Sequence, residues 1–272
     1  RPVWLEEPGY VTAREIFHAA GGQIVPVACD GEGMIVEGEG RPPPSLIYVT
    51  PSHQYPTGVA MSLRRRLALL DFAAAQGAIV IEDDYDSEFH YASRPLAALQ
   101  GIDRAGCVAY VGAFSKVLAP GLRVAYAVLP PLLLGPAWAL LRRQGGSVAI
   151  HVQAALSDFL NEGHLRAHVR RMRSLYQARI AATQDELRKV FSDILDIGPS
   201  DGGLQLAAWF HETGTDDVGA ARFLQAHGIG AMALSPFYLG EPRPGLLFGI
   251  AGATPDRVAK LTAVMKRYAI AP

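Results

Sequence analysis

The sequence predicts an α/β fold, a mostly parallel sheet with helices on both faces, followed by a smaller α+β domain at the C-terminal end. Three observations predict it. Strand-like and helix-like patterns alternate through the first half of the chain. Ala78 to Glu82 is an unbroken apolar run, as expected of a strand covered on both faces in a parallel sheet. From about Pro136 the pattern turns to long helices and then to a mixed strand and helix tail, which marks a second unit.

In order, Arg1 to Glu7 reads as an apolar strand, Pro8-Gly9-Tyr10 as a turn, and Thr12 to Ala20 as a helix stopped by Gly21-Gly22. Gln23 to Ala28 is strand-like, and Asp30-Gly31-Glu32-Gly33 is a turn. Pro42-Pro43-Pro44 is a rigid connector. Leu46 to Thr50 is a strand that runs into Pro51-Ser52-His53-Gln54-Tyr55-Pro56-Thr57-Gly58. Ser62 suits the N-cap of a helix over Leu63 to Gln76, with Gly77 just past its end. Cys107 to Val111 and Arg123 to Leu129 are further strands, the latter closed by Pro130-Pro131. In the tail, Leu204 to Phe210, Ile229 to Leu234 and Leu246 to Ala251 read as strands, with helices over Asp217 to His227 and Pro255 to Tyr268. The division expected is a large domain over 1–140, a helical connector over 141–164 and a small domain over 165–272.

Half of the 272 residues are hydrophobic and the formal net charge is −1, which argues against disorder, a membrane span and a generally nucleic-acid-binding surface. Cys29 and Cys107 are the only cysteines, so no disulfide framework is implied and a reducing, cytoplasmic setting fits. Leu165, Val169, Met172 and Tyr176 form an apolar helical stripe, opposed by Arg166, Arg170, Arg171, Arg173 and Arg179. A basic helix can meet nucleic acid, but with the charge balanced overall a solvated outer face is the favoured reading.

Three expected strands end in polar clusters, and open parallel sheets bind ligands beyond the carboxyl ends of their strands. One cluster is Ser52-His53-Gln54-Tyr55, the second Glu82-Asp83-Asp84-Tyr85-Asp86-Ser87-Glu88-Phe89, and the third Phe114-Ser115-Lys116 with Pro120-Gly121-Leu122-Arg123. Taken alone, Lys116 reads as a solvated loop lysine, and the acidic run as a polar loop or a site for a hard cation. Together they suggest more. A Schiff-base lysine, a carboxylate for a ring nitrogen, a tyrosine for a phenolate oxygen and an arginine for a phosphate are what pyridoxal phosphate requires.

These three motifs resemble the class I/II, fold-type I, aminotransferases. More narrowly, they resemble the aminotransferase-like domain of MocR/GabR-type regulators of the GntR superfamily, as does Gly163-His164-Leu165-Arg166 through Arg173. The resemblance implies a fold-type I transferase fold and pyridoxal 5′-phosphate as cofactor, with Lys116 carrying the Schiff base and shuttling the substrate proton. It implies Asp83 at the ring nitrogen, Tyr85 at the phenolate oxygen, Ser115 and Arg123 at the phosphate, and Tyr10 stacked on the ring face. His53 is read either as a further polar contact to the cofactor or as a structural strand-end histidine. No metal is implied.

The sequence departs from the family pattern in three places. Tyr55 stands where aminotransferases have Asn before Pro-Thr-Gly, and Ala113 where Ser or Thr adds a phosphate contact worth roughly 1.5–3 kcal/mol. Leucine occupies the late-strand region, Leu246-Leu247, where enzymes carry the arginine that grips the substrate carboxylate; Arg243 lies nearby between two prolines. The resemblance thus points to an effector-sensing domain that reads an amino acid or related amine, with a stand-alone aminotransferase as the alternative and a degenerate remnant as a third reading. It also implies a homodimer, DNA contact only through a winged-helix domain outside this chain, and no membrane. The chain opens mid-strand at Arg1, so the reading expects the domain, its glycine-containing phosphate loop included, to start upstream, and expects weak or no cofactor retention.

Overall fold

Parallel pairing starts at the first strand in the computed structural model, which describes residues 1–38, 40–91, 96–145 and 148–270. The first part comprises β1 (Pro2–Glu7), α1 (Val11–Ala19), β2 (Gln23–Asp30), β3 (Gly33–Met34), β4 (Leu46–Val49), α2 (Leu63–Gln76), β5 (Ile79–Asp84), α3 (Leu99–Ile102), β6 (Val108–Ala113), α4 (Phe114–Val117) and β7 (Ala125–Val128). Three helices follow, α5 (Pro131–Gln144), α6 (Ile150–Asn161) and α7 (His164–Phe191). The last part holds β8 (Leu195–Ile197), β9 (Gln205–Phe210), α8 (Asp217–Ala226), β10 (Ala231–Ala233), β11 (Gly245–Gly249) and α9 (Pro255–Ile270).

The large sheet runs β3-β2-β1-β4-β5-β6-β7. Its interior pairs are parallel, and only the two edge pairs are antiparallel. Trp4, Val25, Val27, Ile47, Val49, Val80 and Val108 fill one face against Leu69, Leu70 and Ala73 of α2. Val3, Leu5 and Tyr48 pack the other against Ala13 and Phe17 of α1. Each fully buried side chain of this size contributes about 1.5–3 kcal/mol. α2 has the expected ends: Ser62 Oγ accepts from the Arg65 N–H, and Gly77 takes the left-handed conformation at φ 64°.

The small sheet, β10-β11-β9-β8, is antiparallel throughout. Its core is built from Leu206, Phe248, Leu224 and Leu261 together with Ile180, Leu187 and Phe191 of α7. The buried residues of α7 begin at Ile180, so its first half belongs to the connection and its second half to the small core.

Several boundaries differ from the sequence reading. Asp30 to Gly33 is not a bare turn but the tip of the β2–β3 hairpin. β5 continues two residues past Glu82, and this decides the faces on which Asp83 and Asp84 lie. Arg123 lies outside β7, in the left-handed conformation at φ 52° after a 3₁₀ turn over Pro120–Leu122. β8 was too short to stand out from its flanks. Arg173 and Arg179 do not join the solvated arginines: Arg173 donates to the Glu88 carbonyl at 2.8 and 3.1 Å and Arg179 to that of Ala251, so both tie α7 to neighbouring loops. No helix among the described residues is long and apolar enough to cross a membrane.

Candidate functional site

The carboxyl ends of β1, β4, β5 and β6 lie side by side, and each carries one of the chemical groups singled out above. Because side chains alternate along β5, Asp83 shares a face with Ile81, while Glu82 and Asp84 face the other way. Glu82 turns inward, accepts from the Leu99 and Gln100 N–H groups at 2.8 and 2.9 Å, and lies 3.9 Å from buried Arg66. Asp84 accepts from the hydroxyls of Ser87 and Tyr110, both at 2.7 Å. Asp86 lies 2.7 Å from the His53 ring and accepts from the Leu204 N–H at 3.1 Å. The acidic run therefore disperses its carboxylates instead of converging them on one ion.

Asp83 is the acid left facing the site. The Tyr48 hydroxyl donates to its Oδ2, and no cation pairs with it among the described residues. Burial pushes its carboxyl above the ordinary range; the Tyr48 hydrogen bond opposes the rise, and Asp84 and Asp86 add to it. Two residues on, Tyr85 donates to the His53 carbonyl at 2.9 Å, and burial pushes its phenol well above the usual value, so it stays a donor. Tyr55 stands edge-on to Tyr85, Tyr10 and Phe237 at centroid distances of 5.9, 5.4 and 5.3 Å, which makes an aromatic wall.

Lys116 lies on α4, one residue past Ser115 and three past the end of β6. Its amine makes no hydrogen bond or ion pair among the described residues. A cleft of about 550 Å³ between the two sheets is lined by Lys116, Ser115, Tyr85, Tyr176, Gln205 and Arg257, among others. Arg123 is exposed and unpaired among the described residues, on the loop that follows. It is the only non-glycine residue at positive φ among those described.

Of the two readings of His53, its surroundings favour the structural one. Its ring is 2% exposed, with Nδ1 on Asp86, its face stacked on His90 at 5.9 Å, and Nε2 beside Gly202. These contacts join the large sheet to the chain entering β9, so the histidine is a structural joint, and its backbone carbonyl is what faces Tyr85. Leu247 is sealed in an apolar cluster with Ala207, Trp209, Leu234 and Phe237, against which Val11 and Tyr55 pack. Arg243 is spent elsewhere, on Asp196 at 2.6 Å and over the Trp209 ring at 5.1 Å.

Sequence reading missed Tyr48 and Glu6. Tyr48 had the look of one more apolar-face aromatic in a strand. Glu6 is 3% exposed and accepts from Thr50 Oγ1 at 2.6 Å and Thr50 N at 3.1 Å; burial raises its carboxyl to about 7. The only signal was a glutamate at the end of an apolar strand.

The donor set fits pyridoxal phosphate: a half-buried carboxylate and an amine with no charged partner among the described residues, a protonated phenol, a hydroxyl lining the cleft with the amine, and the Arg123 guanidinium on the loop that follows. The family model for aminotransferase class I and II matches residues 1–264. The chain belongs to the class I and II aminotransferase family. Its large sheet and helices have the fold-type I arrangement. An α-aminoadipate aminotransferase of Thermus thermophilus, solved with N-(5′-phosphopyridoxyl)-L-leucine, superposes with TM-score 0.89 at 26% identity, over 99% of this chain and 72% of that one. A kynurenine aminotransferase of Pyrococcus horikoshii, solved with PMP, gives TM-score 0.89 at 24% identity, over 99% and 70%. Among curated proteins, the probable rhizopine catabolism regulatory protein MocR of Rhizobium meliloti is 40% identical over 93% of this chain and 51% of its own length. The pyridoxine biosynthesis transcriptional regulator PdxR of Corynebacterium glutamicum is 32% identical over 93% and 55%. The chain spans about half the length of these curated relatives.

Proposed function

We propose that this chain is the aminotransferase-like, effector-sensing domain of a MocR-type transcription regulator, holding pyridoxal 5′-phosphate and reading an amino acid or related amine. Asp83 would hold the proton on the ring nitrogen, and the Tyr85 hydroxyl would meet the phenolate oxygen. Ser115 and Arg123 would hold the phosphate, and Tyr10 would cover the ring face. Lys116 would bind through Nζ and, when displaced by the ligand's amine, move a proton at its α-carbon. The cofactor, when bound, supplies an electron sink for that carbon. In this reading DNA contact belongs to a separate domain of a cytoplasmic homodimer.

Leu247 carries the choice of sensing over turnover. In the late-strand region where the resemblance places a carboxylate-gripping arginine, this side chain is closed in an apolar cluster and offers a substrate carboxylate nothing. The test is a half-reaction. Protein incubated with a large excess of pyridoxal phosphate, to offset the weak retention expected of this chain, should develop the visible Schiff-base absorbance, and Lys116→Ala should remove it. Amino donors should then shift the spectrum without repeated conversion of an added 2-oxo acid. A band that survives in Lys116→Ala sinks the cofactor assignment; sustained turnover moves the reading to a stand-alone aminotransferase.

A further inference from the structure

Tyr48 has a place in the site that neither its strand pattern nor the motifs announce. Its ring is 5% exposed, packed in the cluster of Val3, Leu5 and Ala13 and edge-on to Phe17 at 5.8 Å. A buried phenol held this way needs a partner for its hydroxyl. The parallel register pairs Tyr48 with Ile81, and Asp83 follows two residues later on the same face. The hydroxyl therefore reaches Asp83 Oδ2 across adjacent strands.

The other charged groups acting on Asp83 among the described residues are acidic. Asp84 flanks it on β5 and Asp86 lies in the next loop, while Glu6 on β1 and Tyr85 after β5 are close enough for its charge to act on them. Burial and these acids favour the neutral carboxyl, and a neutral carboxyl is a poor acceptor for a cationic ring N–H. Among the groups acting on Asp83, only the hydrogen bond from Tyr48 works in the opposite direction. It also takes one of the two oxygens, which leaves the other for a second donor.

We propose that Tyr48 is a positioning residue for the cofactor's ring nitrogen: its hydroxyl occupies Asp83 Oδ2 and leaves Oδ1 for the ring N–H. The inference rests on the cofactor reading above, but its first test does not need the cofactor. In cofactor-free protein, the Asp83 carboxyl carbon is followed by NMR across pH, with Asp83→Asn for assignment. Tyr48→Phe should displace the Asp83 midpoint upward. Phe17→Leu loosens the packing of the same ring and keeps the hydroxyl, so it should hold the wild-type midpoint. An unmoved midpoint in Tyr48→Phe, or an equal displacement in Phe17→Leu, overturns the assignment.

The second arm compares binding of pyridoxal phosphate with a carbocyclic analogue in which CH replaces the ring nitrogen. The preference for the nitrogen-bearing ring reads the Asp83 contact alone. Tyr48→Phe should cut that preference about tenfold, the order of one charge-assisted hydrogen bond weakened. If both compounds bind and the preference is unchanged, the inference fails while the cofactor reading stands. If neither binds and the midpoint still moves, the cofactor reading fails and the hold of Tyr48 on Asp83 survives.

Discussion

Glu6 is closed beneath the loop that carries Tyr55, and its environment makes a pH prediction. Thr50, its main partner, also accepts from the Tyr55 N–H at 2.9 Å, and Gln54 bonds the Pro8 carbonyl at 2.7 Å, so the carboxyl underlies both loops of the aromatic wall. Its folded-state value of about 7 lies above the unfolded 4.5, so the folded protein binds the extra proton between those values. Stability therefore falls as pH rises through that window, by roughly 3 kcal/mol in total. Glu6→Gln keeps the shape and removes the titration. Urea unfolding at pH 5 and pH 8 should show the wild type losing stability relative to the variant; parallel curves would refute the prediction. The same scale shows what sequence can and cannot expose. The strand-end positions of Lys116, Asp83 and Tyr85 were legible because their spacing from strand ends is local. The bond from Tyr48 to Asp83 was not, because it spans 35 residues and depends on strand register.

At the scale of elements, the segment after β5 is the joint between the two units. Tyr91 N–H donates to the Asp201 carbonyl at 2.8 Å and Gly203 N–H to that of Phe89 at 2.9 Å, with the His53–Asp86 pair buried between them. Gly202 is required here for space: a Cβ would lie 1.9 Å from His53 Nε2, and the ring is held by Asp86 and His90. Gly202→Ala should cost about 1–3 kcal/mol, an overpacking penalty. In a His53→Ala background the same substitution should cost almost nothing, and equal costs in the two backgrounds would show that the ring is not the obstacle. Strands and helices with strong periodicity or caps, such as β4, α2 and α9, were readable within a few residues. β3 and β8, of two and three residues, were not, since pairing with a neighbour and not their own pattern makes them strands.

Across the whole molecule, one surface stands apart. α5 buries none of its residues, and it exposes Leu132 at 75% and Trp138 at 66%. β7, the strand before it in the chain, is exposed along its whole length, and α6 after it likewise buries none of its residues. An apolar face of this kind suits an interface, and the homodimer of the proposed function is the occupant proposed for it. Sedimentation equilibrium over a concentration series should show self-association, and Trp138→Glu should move it toward monomer. A wild type that stays monomeric throughout would sink the dimer reading.

The sequence by itself determined the layered α/β architecture and the residues whose chemistry suits the cofactor. Those depend on local pattern, on the period of apolar residues and on chemical type at strand ends. The tertiary structure alone decided that His53 serves the joint, that Arg173 and Arg179 tie α7 to loops, that Leu247 is sealed, and that Tyr48 supports Asp83. Each depends on which distant part of the chain lies beside a side chain. For Leu247 and Tyr48 strand register sets this, and a shift of one residue would turn them to the other face.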